Sequence, residues 1–415
     1  MSKPKIRFKG YEEDWEQRKL SDIYGLIGNA FVGTATPYYA EQGHFYLESN
    51  NVKDGQINHN SEVFINDEFY EKQKDKWLHT GDMVMVQSGH VGHAAVIPEE
   101  LDNTAAHALI MFRNPKEEIE PYFLNYEYQT DKSKKKIENI TTGNTIKHIL
   151  ASDMQEFIVD VPKYEEQKVI AGYFRNLDHL ITLHQRKCEE TKKLKKYMLQ
   201  KMFPQNGKRV PEIRFAGFTD DWEQRKLSEI ATMHARIGWQ NLRTSEFLDS
   251  GDYMLITGTD FEDGTINYST CHYVEKERYE QDKNIQIRNG SILITKDGTL
   301  GKVAYVQGLT MPATLNAGVF NVEIKDKKET DEKYLFQYLK APFLMDYVTR
   351  HATGGTIKHL NQSILINFPV YMPKKSEQEK IGLYLMQLDS LITLHQRKYE
   401  ELQKIKKFML QNMFI

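Results

Sequence analysis

The sequence lacks the features of disulfide-rich, membrane-spanning and strongly basic proteins. It includes only 2 cysteines, Cys188 and Cys271, in unrelated contexts, which argues against disulfides and predicts a reducing, cytoplasmic environment. No apolar run approaches the roughly 18 residues of a membrane span, and the opening MSKPKIRFKG has no apolar signal-peptide core. The net charge is −3, so charge alone does not predict a nucleic-acid partner.

What the sequence does contain is a long internal repeat. The octapeptide LITLHQRK occupies residues 180–187 and again residues 391–398, and DWEQRKLS occupies residues 14–21 and again residues 221–228. A period of roughly 210 residues is too long for a solenoid repeat and has the size of a domain with an additional segment. The sequence therefore predicts two similar copies in tandem.

Between their shared ends, the two copies keep only a skeleton of glycines and apolar runs. The apolar runs MVMV and SILIT predict buried strands, and AAVI and VAYV predict the strands that follow a glycine turn. Asp54 and Asp263 are interpreted as turn formers, and residues 120–137 and 331–348 as helical. Each copy is therefore predicted to be an α+β domain. Four glycines recur in order in both copies: Gly55, Gly81, Gly89 and Gly92, then Gly264, Gly290, Gly298 and Gly301.

The end of each copy has a different pattern. In residues 170–202 and 381–413 the seam positions follow alternating steps of four and three, which is typical of a helix with a heptad-like seam. A helix of this length, roughly 57 Å, either packs on its own domain or pairs with its equivalent, and we favour an antiparallel pair. The lysines of KKLKKY at residues 192–197 are expected on a solvated face. The predicted helix contacts are Leu177, Leu180, Ile181, His184, Leu388, Leu391, Ile392 and His395, with the two histidines as a buried pair.

Motifs of catalysis are missing from the sequence. The nearest match to a P-loop, DGTLGKV at residues 297–303, has two residues between its glycines where a P-loop has four. There is no GxSxG motif, and no GxGxxG motif follows a predicted strand. His90 and His93 have Thr299 and Lys302 as counterparts and no cysteine pair nearby, so no metal site is predicted. We identify no pair of ionisable residues kept at interior positions of both copies, and therefore predict a binding protein.

The shared motifs resemble those of the specificity subunits of Type I restriction–modification systems. WEQRKLSDI and WEQRKLSEI resemble the opening of a target-recognition domain in that family. TTGNTIKHI and ATGGTIKHL, FIVDVP and FPVYMP, EEQKVI and SEQEKI, and the LITLHQRK helix resemble its exit and spacer helix. The resemblance covers essentially the whole chain and occurs twice in order.

The resemblance implies two tandem α+β target-recognition domains separated by two long helices that form an antiparallel coiled-coil-like pair. The implied boundaries are residues 1–162 and 213–373 for the domains, 163–204 and 374–415 for the helices, and 205–212 for a linker. It further implies that each domain reads half of a gapped target in the major groove of double-stranded DNA. The subunit itself would be non-catalytic and without a cofactor.

The implied partners are two modification subunits and the restriction subunits, with no membrane partner. S-adenosylmethionine, ATP and Mg²⁺ are expected in those partner subunits. The bases are read by the variable middles, where amides, hydroxyls and guanidinium groups can contact base edges. The candidate DNA contacts are Gln87, Ser88, His90, His93 and Lys147, then Trp239, Gln240, Arg243, Lys296, Thr299, Lys302 and Lys358.

Alternatives remain open for these residues and for the function of the chain. Each candidate side chain can equally be a solvated loop residue, and the shared Lys147 and Lys358 are assigned to phosphate contact or to structure. A protein-binding scaffold with two variable interaction domains is the alternative function. A fused methyltransferase or nuclease would need a cofactor loop and a catalytic motif, and the sequence contains neither.

Overall fold

The computed structural model of the chain describes residues 3–143, 147–205, 207–238, 241–297, 300–351 and 360–415. It divides into two compact units. Unit 1 comprises residues 1–184 and 397–415, and unit 2 comprises residues 185–396. Each long helix is thus divided between the units, whereas the predicted boundaries treat each helix as a separate segment. No helix of the described ranges is long and apolar enough to span a membrane.

Unit 1 is built from short strands and helices. Its strands are β1 Glu16–Lys19, β2 Tyr24–Asn29, β3 Tyr39–Ala40, β4 His44–Leu47, β5 Val52–Lys53, β6 Gln56–Ile57, β7 Phe64–Ile65, β8 Met83–Val86, β9 Ala94–Val96, β10 Ala105–Ala106, β11 Leu109–Pro115 and β12 Ile158–Val161. Its helices are α1 Leu20–Ile23, α2 Asp67–Lys72, α3 Pro121–Glu127, α4 Asp131–Ile140, α5 Ala151–Gln155 and the first part of α6 Tyr164–Lys201.

The strands of unit 1 form two four-stranded sheets, in the orders β2-β11-β8-β9 and β10-β4-β7-β3. The fully buried runs MVMV and AAV are β8 and β9, an antiparallel pair in which Met85 lies opposite Ala94. Strand β1 pairs with β12, so the shared opening motif lies beside the shared exit motif.

Unit 2 repeats this arrangement. Its strands are β13 Glu223–Lys226, β14 Ala231–His234, β15 Met254–Ile256, β16 Phe261–Glu262, β17 Thr265–Ile266, β18 His272–Tyr273, β19 Gln286–Ile287, β20 Ile292–Thr295, β21 Val303–Tyr305, β22 Ala313–Leu315, β23 Val319–Ile324 and β24 Pro369–Met372. Its helices are α7 Leu227–Ile230, α8 Lys276–Glu280, α9 Glu332–Lys340, α10 Phe343–His351, α11 Gln362–Leu365 and part of α12 Lys375–Asn412. The sheet orders are β14-β23-β20-β21 and β18-β15-β22-β19.

The two long helices run antiparallel within each unit. In unit 1, Phe174 of α6 packs on Phe414, which follows the end of α12, with ring centroids 5.8 Å apart. Asp178 lies one turn after Phe174 on α6 and contacts Lys406, which lies two turns before Phe414 on α12. In unit 2, Lys195 of α6 pairs with Asp389 of α12, and Cys188, earlier on α6, lies 3.6 Å from Gln396, later on α12, so the helices are antiparallel there too. The predicted α+β fold with an antiparallel helix pair is therefore confirmed.

The predicted helical stretches are each divided in two. Residues 120–137 contain the whole of α3 and most of α4, and Thr130 caps α4 by accepting a hydrogen bond from Ser133 N. In residues 331–348, α9 ends at Lys340, just before Pro342, because proline cannot donate the backbone hydrogen bond that would continue a helix. The turn assignments of Asp54 and Asp263 are confirmed, with φ angles of 50° and 49°.

Candidate nucleic-acid interface

The candidate residues of unit 1 lie in the turn between β8 and β9. Val86 N donates to His93 O at 2.8 Å and Gly92 N donates to Val86 O at 3.1 Å, which closes the turn. Gly92 has a φ of 86°, and a Cβ there would lie 2.9 Å from Ile137 Cγ2, so the turn requires glycine at this position. Gln87, Ser88, His90 and His93 are thereby brought together.

Residues 147–149, which end the shared TTGNTIKHI motif, support this turn through their backbone. Gly89 N donates to Lys147 O at 3.1 Å, and Ile149 N donates to Gln87 O at 3.0 Å. Ser88 Oγ lies 2.5 Å from His148 Nδ1, a contact that the sequence did not indicate. The Lys147 ammonium pairs with Glu138 at 2.9 Å, with both side chains largely exposed. The backbone of this segment is therefore structural, and the Lys147 ammonium remains accessible.

A cleft of about 310 Å³ lies beside the turn and is lined by polar and basic groups. His93 Nδ1 accepts a hydrogen bond from Asp54 N at 3.2 Å, so the proton of the neutral ring is on Nε2. Burial lowers the pKa of His93, an effect that the nearby Asp54 partly opposes. The cleft lining comprises residues 89–93, Lys134, Ile137, Glu138, Thr141 and Lys147. A neutral imidazole and accessible lysine and glutamate side chains are suited to polar recognition.

The equivalent turn of unit 2 joins β20 to β21. Gly301 N donates to Thr295 O at 2.9 Å, and Leu360 N donates to Lys296 O at 2.8 Å, which repeats the backbone support seen in unit 1. Lys302 is exposed, and the Lys296 ammonium lies 5.4 Å from the Phe320 ring centroid. The structure thus brings Lys296 and Lys302 to one turn.

The remaining candidates of the second domain are not brought to this turn. Arg243 is exposed and begins a short 3-10 helix, where its backbone N–H donates to Glu246 Oε2 at 2.8 Å. No contact in the described ranges joins it to Lys296 or Lys302. Four candidates lie outside the described residues: Trp239, Gln240, Thr299 and Lys358.

The predicted helix contacts divide into three groups by exposure. Leu177 and Leu388 are buried in the cores of unit 1 and unit 2 respectively. Leu180 and Leu391 are 39% and 43% exposed, since each precedes a seam residue and faces about 100° away from it; their part in the helix contact stays a prediction. Four residues are half-buried: Ile181, His184, Ile392 and His395.

The sequence analysis missed ion pairs that both copies keep in their interiors. Arg7 binds Glu166 through two hydrogen bonds of 2.7 Å, and the Arg214–Glu377 pair repeats this contact in unit 2. Both glutamates are buried. The expectation that no ionisable pair is kept at interior positions was therefore wrong. These pairs fasten the start of each copy to a long helix, which is a structural role.

A second duplicated pair lies on the helices themselves. Asp178 contacts Lys406 at 2.6 Å in unit 1, and Asp389 contacts Lys195 at 2.5 Å in unit 2. Lys195 is only 5% exposed, so its assignment to a solvated face was wrong. Two features of the sequence could have identified it. Asp178 and Lys195 recur with the same spacing as Asp389 and Lys406, and Lys195 lies on the heptad seam.

The duplicated α+β fold and the shared motifs agree with a comparison to known families. The family model described as Type I restriction modification DNA specificity domain matches residues 12–193 and 219–404. The chain belongs to this family. The two matched regions of the specificity subunit correspond to the two copies identified in the sequence.

Similar proteins extend along nearly the whole specificity subunit. The Type I restriction enzyme MjaVIII specificity subunit of Methanocaldococcus jannaschii is 22% identical over 408 residues, which cover 95% of this chain and 91% of the relative. The putative MjaX specificity subunit of the same organism is 25% identical over 405 residues, with the same coverage. The crystal structure of the S subunit from M. genitalium has a TM-score of 0.66 at 16% identity and covers 100% of this chain and 99% of its own, which supports the fold.

Proposed function

We propose that each domain of the specificity subunit reads one half of a bipartite, gapped target in the DNA major groove. The long helices set the gap and dock the modification subunits. The chain itself carries out no catalysis. S-adenosylmethionine, ATP and Mg²⁺ belong to the modification and restriction subunits of the assembled complex.

One observation supports this proposal: the described backbone hydrogen bonds that hold the two turns are equivalent, whereas the side chains of the turns differ. Gln87 O and Lys296 O accept equivalent hydrogen bonds from the segment that follows TIKH. The turns present His93 in one copy and Lys302 in the other. Equivalent backbone hydrogen bonds combined with different polar side chains suit two domains that read different DNA sequences, because base edges differ only in their donors, acceptors and methyl groups.

The long helices carry apolar side chains on their exposed surfaces, which supports the docking role. Three pairs of them, Leu194 with Tyr197, Leu391 with Leu394, and Ile405 with Phe408, are three residues apart and so lie side by side on a helix, and adjacent exposed apolar residues can mark a protein–protein contact. The exposed apolar residues of α6 are Val169, Leu180, Leu194 and Tyr197, and those of α12 are Leu383, Leu391, Leu394, Ile405 and Phe408. Modification subunits bound there would also supply phosphate contacts that a chain with a net charge of −3 cannot supply in number.

The test is to map methylation of random-sequence DNA by the complex of this chain with its modification subunits. We expect one bipartite motif with a fixed gap. His90→Ala should change discrimination in one half of the motif only, because His90 is exposed on the turn of unit 1. His59→Ala is the matched control, since His59 is an exposed histidine that pairs with Glu62 away from the turn.

Two results would contradict the proposal. An unchanged motif with unchanged efficiency for His90→Ala would mean that the turn is not the reader. Tight binding of both domains to proteins, with no sequence-dependent binding of DNA by the assembled complex, would favour the protein-binding scaffold.

A further inference from the structure

A partly buried cluster of charges lies in unit 2, where the long helices meet α9. Asp389 Oδ1 on α12 accepts from Lys195 Nζ on α6 at 2.5 Å and lies 3.4 Å from Lys340 Nζ on α9. Gln337 Nε2 on α9 donates to Asp389 Oδ2 at 2.7 Å. One carboxylate thus joins the second domain to both long helices.

Lys340 has a further partner within the domain. Its ammonium donates to Asp263 O at 2.6 Å, in the turn between β16 and β17. Gly264 follows with a φ of 91°, and a Cβ at this position would collide with Lys340 Nζ. A lysine ammonium has three donors, so one side chain can bind the turn and the helices together.

The same turn contacts the strand that leaves the candidate DNA-contact turn. Tyr305 N donates to Gly264 O at 2.9 Å, and Tyr305 ends β21, which starts directly after Lys302. A continuous path of hydrogen bonds and covalent bonds therefore leads from the long helices through Lys340 to the turn with Lys296 and Lys302.

Unit 1 makes the corresponding contacts with neutral groups. Tyr126 OH, at the place of Gln337, donates to Asp178 Oδ2 at 2.8 Å. Gln129 stands at the place of Lys340, and Gly55 O accepts from Asn125 Nδ2 at 2.8 Å. The additional cation is therefore a property of the second copy alone.

The additional cation has an electrostatic consequence. Burial, together with the positive charge of Lys340, lowers the pKa of Lys195 to about 8, although Asp389 acts in the opposite direction. A buried lysine and a half-buried lysine beside one carboxylate are a costly arrangement. A costly arrangement of buried charges is a reason to look for a role other than stability.

We propose that Lys340 is a positioning residue for the second recognition domain. Its side chain holds the Asp263–Gly264 turn, and through that turn strand β21, in place on the two long helices. This inference rests on the proposed function. A reader contributes to a fixed gap only if it is held rigidly on the helices that set the gap. Lys340 provides that attachment in the second domain, and the neutral contacts of Tyr126 and Asn125 provide it in the first.

The experiment uses the complex with the modification subunits and measures methylation of three sets of DNA. In the first set the first half of the motif is changed, in the second set the second half is changed, and in the third set the gap differs by one base pair. The variants are Lys340→Gln, which introduces the residue of the first copy, and Lys340→Arg, which keeps the charge. Lys328→Gln is the matched control, because it removes an exposed positive charge from the same domain.

For Lys340→Gln we expect discrimination against second-half and gap changes to fall about tenfold, the loss expected from one charge-assisted hydrogen bond. First-half discrimination should stay unchanged, Lys340→Arg should recover part of the loss, and Lys328→Gln should behave as wild type.

Unchanged discrimination for Lys340→Gln would overturn the inference. So would an equal loss on both halves together with a lower unfolding temperature, because that pattern indicates a purely structural role. If Lys340→Gln does not fold, the Lys340→Arg variant decides: a partial loss confined to second-half and gap discrimination is expected, and an equal loss on both halves would contradict positioning. Absence of a bipartite motif for the wild-type complex would instead refute the proposed function.

Discussion

Glu127 gives unit 1 a pH-dependent stability that one substitution should remove. The residue lies on α3 and is 4% exposed, and its Oε2 has no hydrogen-bond partner among the described residues. Burial raises the pKa of Glu127 to about 8, with a smaller contribution from Asp160 that Lys136 opposes. The folded chain therefore keeps this carboxyl protonated at neutral pH, whereas the unfolded chain releases the proton near pH 4.5.

The sign and size of the effect follow from this difference in pKa. Below about pH 4.5 both states are protonated and Glu127 has no effect on stability. Above it the unfolded state binds fewer protons, so the free energy of unfolding falls by about 1.4 kcal/mol per pH unit. The loss reaches about 3 kcal/mol at pH 7 and levels off near pH 8 at about 5 kcal/mol.

Calorimetry of the full chain between pH 5 and pH 8 measures this effect. Glu127→Gln keeps the shape of the neutral side chain and cannot ionise, so the variant should lose the pH dependence of the unit 1 transition. At pH 7 its unfolding temperature should rise by roughly 6–12 °C, from 2–4 °C per kcal/mol for a domain of this size. Glu118→Gln, at an exposed carboxylate of the same unit, is the control. Parallel pH profiles for wild type and Glu127→Gln would show that Glu127 ionises in the folded state.

Further expectations concern the helices and the complex. Lys406→Met should reduce the free energy of unfolding of unit 1 by about 3 kcal/mol. Lys195→Met should destabilise unit 2 less, because Lys340 still neutralises Asp389. Hydrogen exchange of the backbone amides measures the stability of each unit separately. Leu177→Asp should destabilise unit 1, whereas Leu180→Asp should leave the fold intact and weaken modification-subunit binding in pull-down assays. Exchange of residues 24–140 for those of a relative should change one half of the methylated motif. DNA affinity of the complex should fall at least about 100-fold between 50 and 200 mM salt, and a flat response in filter binding would argue against phosphate contacts.

Local patterns in the sequence predicted the elements of the fold well. Runs such as MVMV became buried strands because four consecutive apolar residues fit a strand covered on both faces. The turn residue Asp54 adopts positive φ, as its Asp-Gly context indicated. The three- and four-residue steps correctly predicted two long helices.

The partners of buried charges could not be predicted in the same way. Arg7 meets Glu166 across 159 residues, and Lys195 meets Asp389 across 194. Periodicity along one segment identifies which face is buried but contains no information on which distant side chain covers it. The composition of KKLKKY indicated solvation for all its lysines, and only the heptad position of Lys195 distinguished it from its neighbours.

The contacts at the ends of the copies explain why identity is concentrated there. In unit 1, Ile6 N at the start of the first copy donates to Asn412 O at the end of the second, at 2.9 Å. In unit 2, Ile213 N at the start of the second copy donates to Lys201 O at the end of the first, also at 2.9 Å. Each start therefore contacts the end of the other copy. A substitution at one end must remain compatible with a partner in the other copy, whereas a change in a recognition turn affects only its own domain. The repeated octapeptide lies on α6 and α12, which contact each other in both units, so substitutions on these helices are under the same constraint, whereas the turns are free to diverge.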